Sequence, residues 1–181
     1  MRLIEFDGQE IKLADEAMLV RPFRELFQAD KSKKKEEFWR QMSYLWFMCD
    51  PRSSYMYLVD EDARAREVKM QEGLDEDWEP SALLKEAMSV YKTQSITTQS
   101  LLLESMRKGA EKIRSFIETI NLFETDKNER PIYQVSTVTN TLKQLPELAK
   151  AMAEAEKALA KDFATDDKAR GNAQKSVFED I

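Results

Sequence analysis

The chain has 181 residues, 42% of them apolar and 34% charged, and carries a net charge of −6. That length supports one domain with a sizeable core and some extension beyond it, and the charge content suits long exposed helices. Four glycines and five prolines argue against an all-β or loop-rich fold, a single cysteine permits no internal disulfide, and an acidic chain lacks the electrostatic footprint of a general nucleic-acid binder.

The elements read in chain order as follows. In RLIEFDGQEIKL, Asp7-Gly8 suits a two-residue type I′ turn, which sets Phe6 opposite Gln9, Ile4 opposite Ile11 and Arg2 opposite Leu13. Ile4, Phe6, Ile11 and Leu13 then share one face, with Glu5 and Glu10 on the other. A two-stranded hairpin is marginal in water, so this one must lean on the helices or on another chain.

A short helix fits Arg21 to Gln28, with Pro22 in its first turn. A stronger helix is predicted from Ser32 to Cys49, where Phe38, Met42, Leu45 and Cys49 recur at helical steps and Asp50-Pro51 stops it. SYLWFMCDPRSSYMYLV, residues 43–59, reads as core or subunit interface rather than as the wall of a ligand pocket, and Cys49 within it as a small buried apolar group. Its second half, SSYMYLV, reads as an extended connector. Asp60 is a good N-cap for a helix from Glu61 to Glu72, and Gly73 fits a left-handed C′ position that lets Leu74 fold back on Val68.

From Ser81 to Asn121 the pattern is helical almost throughout, with Leu84, Met88, Tyr91, Ser95, Thr98, Leu102 and Met106 in one stripe. Polar Thr93 to Ser100 is a candidate break, so one helix or two both fit. Thr125 to Pro131 is a turn. Tyr133 to Lys161 reads as a long helix whose stripe runs through Val135, Val138, Leu142, Leu145, Leu148 and Met152 to Leu159, with a kink expected at Pro146. Residues 164–181 are polar, though Val177, Phe178 and Ile181 could dock on a partner.

The chain contains no histidine. Histidine-based activation of a serine or cysteine nucleophile is therefore impossible within one chain, and so is a zinc site of histidines and cysteines. No phosphate loop or dinucleotide fingerprint occurs. Carboxylate and lysine chemistry stay open, with Asp50, Asp60 and Asp62 the candidates for a metal-using centre. The bland reading of Asp60 to Asp62 is a helix cap. No catalytic residue, metal or cofactor is assigned, and an enzyme is not expected. The longest apolar run, Tyr44 to Cys49, is far too short to cross a bilayer, and MRLIEFDGQE holds no apolar stretch of signal-peptide type.

Charge is uneven. Asp30 to Arg40 holds five basic and three acidic side chains, whereas Asp60 to Glu79 holds nine acidic and three basic. Lys31, Lys33, Lys34 and Lys35 stand where the following helix starts, an unfavourable place for cations. That points outward, to weak contact with a nucleic-acid backbone or to the acidic segment of a neighbouring copy. A solvated loop is the plain alternative.

Two blocks, RPFRELFQAD (Arg21 to Asp30) and FMCDPRSSYMYLVDEDARA (Phe47 to Ala65), resemble small structural (virion) proteins of tailed bacteriophages, the crAss-like podoviruses and their relatives. With the residues between them they cover roughly a quarter of the chain. The resemblance carries no catalytic signature. It implies a part of the particle present in many copies: a ring, a head–tail connector or another tail component, made in the bacterial host cytoplasm and residing in the virion. Its partners would be identical copies and other virion proteins, without a membrane. An intracellular helical binding or scaffold module is the alternative.

The expected fold is mainly α, a helical bundle with long C-terminal helices and a small N-terminal β-hairpin. Its expected parts are a helical domain over 1–125, a long kinked helix over 126–163 and a mobile tail over 164–181. The candidate interface residues are Ile4, Phe6, Ile11 and Leu13 of the hairpin, Lys33, Lys34 and Lys35, and Val135, Val138, Leu142, Leu145, Leu148 and Met152 of the long helix.

Overall fold

A computed structural model describes residues 3–6 and 11–169. Among them the fold is mainly α, a bundle of six α-helices preceded by a small antiparallel hairpin. The helices are α1 (Arg21–Ala29), α2 (Glu36–Cys49), α3 (Glu61–Gln71), α4 (Ala82–Ser95), α5 (Thr98–Thr119) and α6 (Val135–Ala169). None of them is long and apolar enough to cross a membrane. The chain forms two compact units, one through Thr97 and one from Thr98 onward, a division that falls ahead of the 125 boundary expected from turn signals.

In the first unit, β1 (Ile4–Phe6) pairs with β2 (Ile11–Leu13). The register is Ile4 opposite Leu13 and Phe6 opposite Ile11, two residues away from the expected one. Four residues, 7–10, therefore separate the paired strands instead of two, and the proposed Asp7-Gly8 turn lies outside the described residues. A two-residue shift preserves the faces of a pleated strand. Ile4, Phe6, Ile11 and Leu13 accordingly still share a face, and it lies on the core.

α2 is the axis of that core. Phe38, Met42 and Leu45 are fully buried along it, and Phe23, Leu26, Val68, Leu84 and Tyr91 close around them from α1, α3 and α4. Aromatic rings meet edge to face at Phe27–Phe38, Tyr44–Trp78 and Phe47–Tyr55, a geometry that adds about 0.5–1.5 kcal/mol per pair beyond the buried area. Residues 43–59 are thus mainly the inside of a domain.

α2 begins at Glu36 and not at Ser32, because residues 30–35 are used for capping. The Ser32 hydroxyl accepts from Glu36 N at 3.1 Å and the Asp30 carboxylate from Phe38 N at 3.0 Å, which satisfies two of the open N–H groups at the helix start. Lys35 enters the helix in the left-handed region, at φ 54°. After α2, the expected extended connector is instead a 3-10 turn over Ser54–Tyr57, nucleated by the Ser53 hydroxyl accepting from Tyr55 N at 3.2 Å. α3 ends in a Schellman motif: Gly73 sits at φ 62°, Leu74 N donates to Lys69 O at 2.9 Å, and Leu74 packs on the core that holds Val68.

The helical stretch from Ser81 is two helices. Ile96 and Thr97 lie between α4 and α5, and Ile96 N closes α4 on Lys92 O at 3.1 Å. The expected single stripe does not survive this break. On α5 it is Leu103 that is buried, while Leu102 is 51% exposed.

The second unit is a helical hairpin. Arg107 on α5 pairs with Glu156 on α6, and Phe116 with Tyr133 just ahead of α6, so the two helices run antiparallel. The connection is ordered by Asp126, whose carboxylate accepts from Asn128 N and Arg130 N at 2.8 and 2.9 Å. α6 continues through Pro146, which has no N–H to give the carbonyl one turn back. It also continues to Ala169, past residue 163 where a tail was expected, while residues 170–181 with Val177, Phe178 and Ile181 lie outside the described residues.

Candidate interaction surfaces

The candidates separate by unit. In the first, Ile4 is fully buried, and Phe6, Ile11 and Leu13 are half-buried against the core. Phe6 packs against Trp46 at 4.6 Å with tilted rings and meets Phe47 edge to face at 5.6 Å between ring centroids. Much of the hairpin's apolar surface is therefore spent within the chain. Ile11 and Leu13 also line a groove of about 850 Å³ with Trp39, Arg40 and Ser43 of α2.

The lysine group divides in two. Lys31 donates to Gln28 O at 2.8 Å; Lys35 donates to Asp30 O and lies 4.7 Å over the Phe27 ring. Both therefore close the C-terminal end of α1, where cations and the last carbonyls attract one another. The cost inferred from their place before α2 is offset by the helix behind them. Lys33 and Lys34 are exposed and remain available to a partner.

The acidic segment holds two buried cations. Arg64 donates to Leu58 O at 3.0 and 2.8 Å and to Met48 O at 3.2 Å, tying the end of α2 to the start of α3. Lys69 reaches Glu76 O at 3.2 Å and Glu79 at 3.3 Å. Arg64 thus secures the connection into α3 and Lys69 the loop that follows it, roles that neither charge count nor periodicity revealed.

Asp50 is 1% exposed, and its carboxylate is engaged on both oxygens. One accepts from Arg52 N and Arg52 Nε, each at 2.8 Å; the other accepts from Arg52 Nη2 at 2.7 Å and from the Tyr91 hydroxyl at 2.5 Å. Burial, and then the Asp50 charge, push the Tyr91 hydroxyl above its ordinary range and keep it a donor. Asp60 caps α3 by accepting from Asp62 N at 3.0 Å. Among the described residues no three acidic, cysteine or histidine side chains gather as a metal-binding group. Cys49 is buried, and burial raises its thiol to about 12, far from the range of a reactive thiolate.

In the second unit the long-helix candidates grade from covered to open. Val138 is buried, Leu145, Leu148 and Met152 are half-buried, Leu142 is 45% exposed and Val135 61% exposed. Leu101, Leu102, Phe116, Phe123 and Ile132 are also exposed, and none of them is among the candidate interface residues. Leu102 and Phe116 fall on the apolar periodicity of α5, which by itself does not tell a covered position from an exposed one.

With this geometry established, comparison with known proteins adds no family: no family model, no curated protein and no solved structure matches the chain.

Proposed function

We propose that the chain is a non-enzymatic structural component of a tailed-bacteriophage virion, used in many copies as a ring, a head–tail connector or a tail part. It would be made in the host cytoplasm and joined there to identical copies and other virion proteins. The observation that carries this reading is the uneven use of apolar surface. Of the thirteen large apolar side chains exposed among the described residues, eight lie from Leu101 onward, in a unit where Leu103, Val138 and Leu159 are the buried apolar side chains among those described. Such a unit gains its stability by covering that surface with other chains. The likeness of Arg21 to Asp30 and Phe47 to Ala65 to phage virion proteins supplies the setting.

Mass spectrometry of purified particles of the encoding phage tests this directly. Peptides of the chain at many copies per particle are the expected result. Their absence from particles while the chain accumulates in infected cells would end the proposal. The second reading, an intracellular binding or scaffold module, draws support from the complete core of the first unit and would give that second outcome.

A further inference from the structure

The hairpin uses only one edge of β2. Ala14 N donates to Leu3 O at 3.0 Å, which makes Leu3 and Ala14 a hydrogen-bonded pair of the ladder. Bonded and non-bonded pairs alternate between antiparallel strands, so Glu5–Lys12 is bonded, whereas Ile4–Leu13 and Phe6–Ile11 are not. The backbone N–H and C=O of Ile11 and Leu13 therefore point away from β1, and among the described residues they find no other backbone partner. The groove of about 850 Å³ runs along this edge: Ile11, Lys12 and Leu13 all line it, and Ile4, Glu5 and Phe6 do not. Trp39, Arg40 and Ser43 line it from α2. Trp39 is 38% exposed, and Arg40 is exposed and makes no ion pair among the described residues.

From this geometry we infer that the groove takes an extended segment of a partner protein as a third strand, hydrogen-bonded to Ile11 and Leu13 and carrying an acidic side chain toward Arg40. The open edge offers an N–H and a C=O at each of two alternate residues, a template that extended backbone matches and a helix does not. Every second side chain of such a segment turns to the face that Ile11 and Leu13 share and meets the Trp39 ring, while those between stay in water. Charge narrows the class of partner. The charged groups of the lining are Lys12 and Arg40 against Glu72, a net positive site on a chain of −6, which complements an acidic segment. A second copy of β2 fits poorly: bonding Ile11 and Leu13 of one copy to Leu13 and Ile11 of another sets Lys12 directly opposite Lys12, and like charges so placed repel. A third strand also relieves the marginal stability of a two-stranded hairpin. The inference goes beyond the virion reading and does not depend on it, since a neighbour in a particle and a partner in the cell can both present such a segment.

A displayed library of random heptapeptides, selected on the full chain, tests this. Enriched peptides are synthesised and titrated calorimetrically against the parent chain, Leu13→Pro and Arg40→Glu. The expected peptides carry apolar residues at alternate positions and an acidic residue, and their binding slows hydrogen exchange at the Ile11 and Leu13 amides. Leu13→Pro removes an outward N–H and no ladder bond, and it should weaken binding at least about tenfold. Arg40→Glu should weaken the acidic peptides and, in a repeated selection, favour basic ones. A library that yields no binder, peptides that bind either variant as tightly as the parent chain, or protection confined to other amides overturns the inference. Should Leu13→Pro lose the hairpin, the selected peptides are N-methylated one position at a time and titrated against the parent chain. Loss of binding at every second position supports strand pairing, and an effect without alternation sinks it.

Discussion

The two units solve the same problem differently. Among the described residues, the unit through Thr97 gathers two strands, two 3-10 turns and three helices around α2 and buries sixteen apolar side chains in one cluster, while the unit from Thr98 has two helices and buries three apolar side chains. A helix surrounded on several sides can place consecutive residues such as Tyr44, Leu45 and Trp46 inside. A helix with one neighbour can cover only one stripe. The lesson is that helix length says little about self-sufficiency: α6, at 35 residues, is the longest element and among the least covered.

The strongest way to break this comparison is to empty the first core. Phe38→Ala should cost about 3–5 kcal/mol, read by urea denaturation, whereas Leu142→Ala on α6 should cost well under 1 kcal/mol in the unpaired chain. Equal costs would refute the contrast. Next in size, Tyr91→Phe removes a neutral donor from a buried carboxylate and should cost about 1.5–3 kcal/mol, without changing the oligomeric state.

Glycine replacement should act with opposite signs in the two units. Gly73→Ala forces a Cβ into φ 62° and should destabilise by about 1 kcal/mol. Gly109→Ala meets open space in a helix interior and should stabilise the dilute, unpaired chain by about 0.5–1 kcal/mol. Melting curves of both variants check the pair, and like signs would be the failure.

The smallest effects are in the response to pH. Cys49 and Tyr44, both in the first core, are raised by burial to about 12 from ordinary values of 9.0 and 10.0. Their neutral forms favour the folded state below those ordinary values, and this contribution is lost as pH rises toward 12. Thiol labelling of Cys49, the single cysteine, should therefore accelerate with pH in this window by more than thiolate formation in the unfolded chain explains. At the acid end, the hydrogen bond from Phe38 N lowers Asp30, so its cap contributes above the ordinary carboxylate range and is lost as pH falls below it. The stability gap between the parent chain and Asp30→Asn should close in acid.

Much of the fold was legible because it is local. The Gly73 turn, the Asp60 cap, the stop at Asp50-Pro51 and the stripe of α2 each depend on residues within a turn or two of one another. The hairpin faces survived a wrong register because strands repeat every two residues. The misreadings have a common cause. Lys31 and Lys35 were judged by the helix after them, though they close the helix before them. The stripe through Leu102 is carried across Thr97, but the helix breaks there, so the spacing fixes no common face beyond it. The pairing of Asp50 with Tyr91 spans 41 residues, and no pattern in the chain announces it.

Composition and periodicity by themselves determined the mainly helical class, the absence of histidine chemistry and the apolar character of residues 43–59, with core and subunit interface both open. Only the tertiary structure decided which apolar positions of a helix are covered, which lysines are occupied, and that most of the exposed large apolar side chains among the described residues lie in the second unit. The physical reason is that periodicity defines a face, whereas burial depends on how many neighbours reach it.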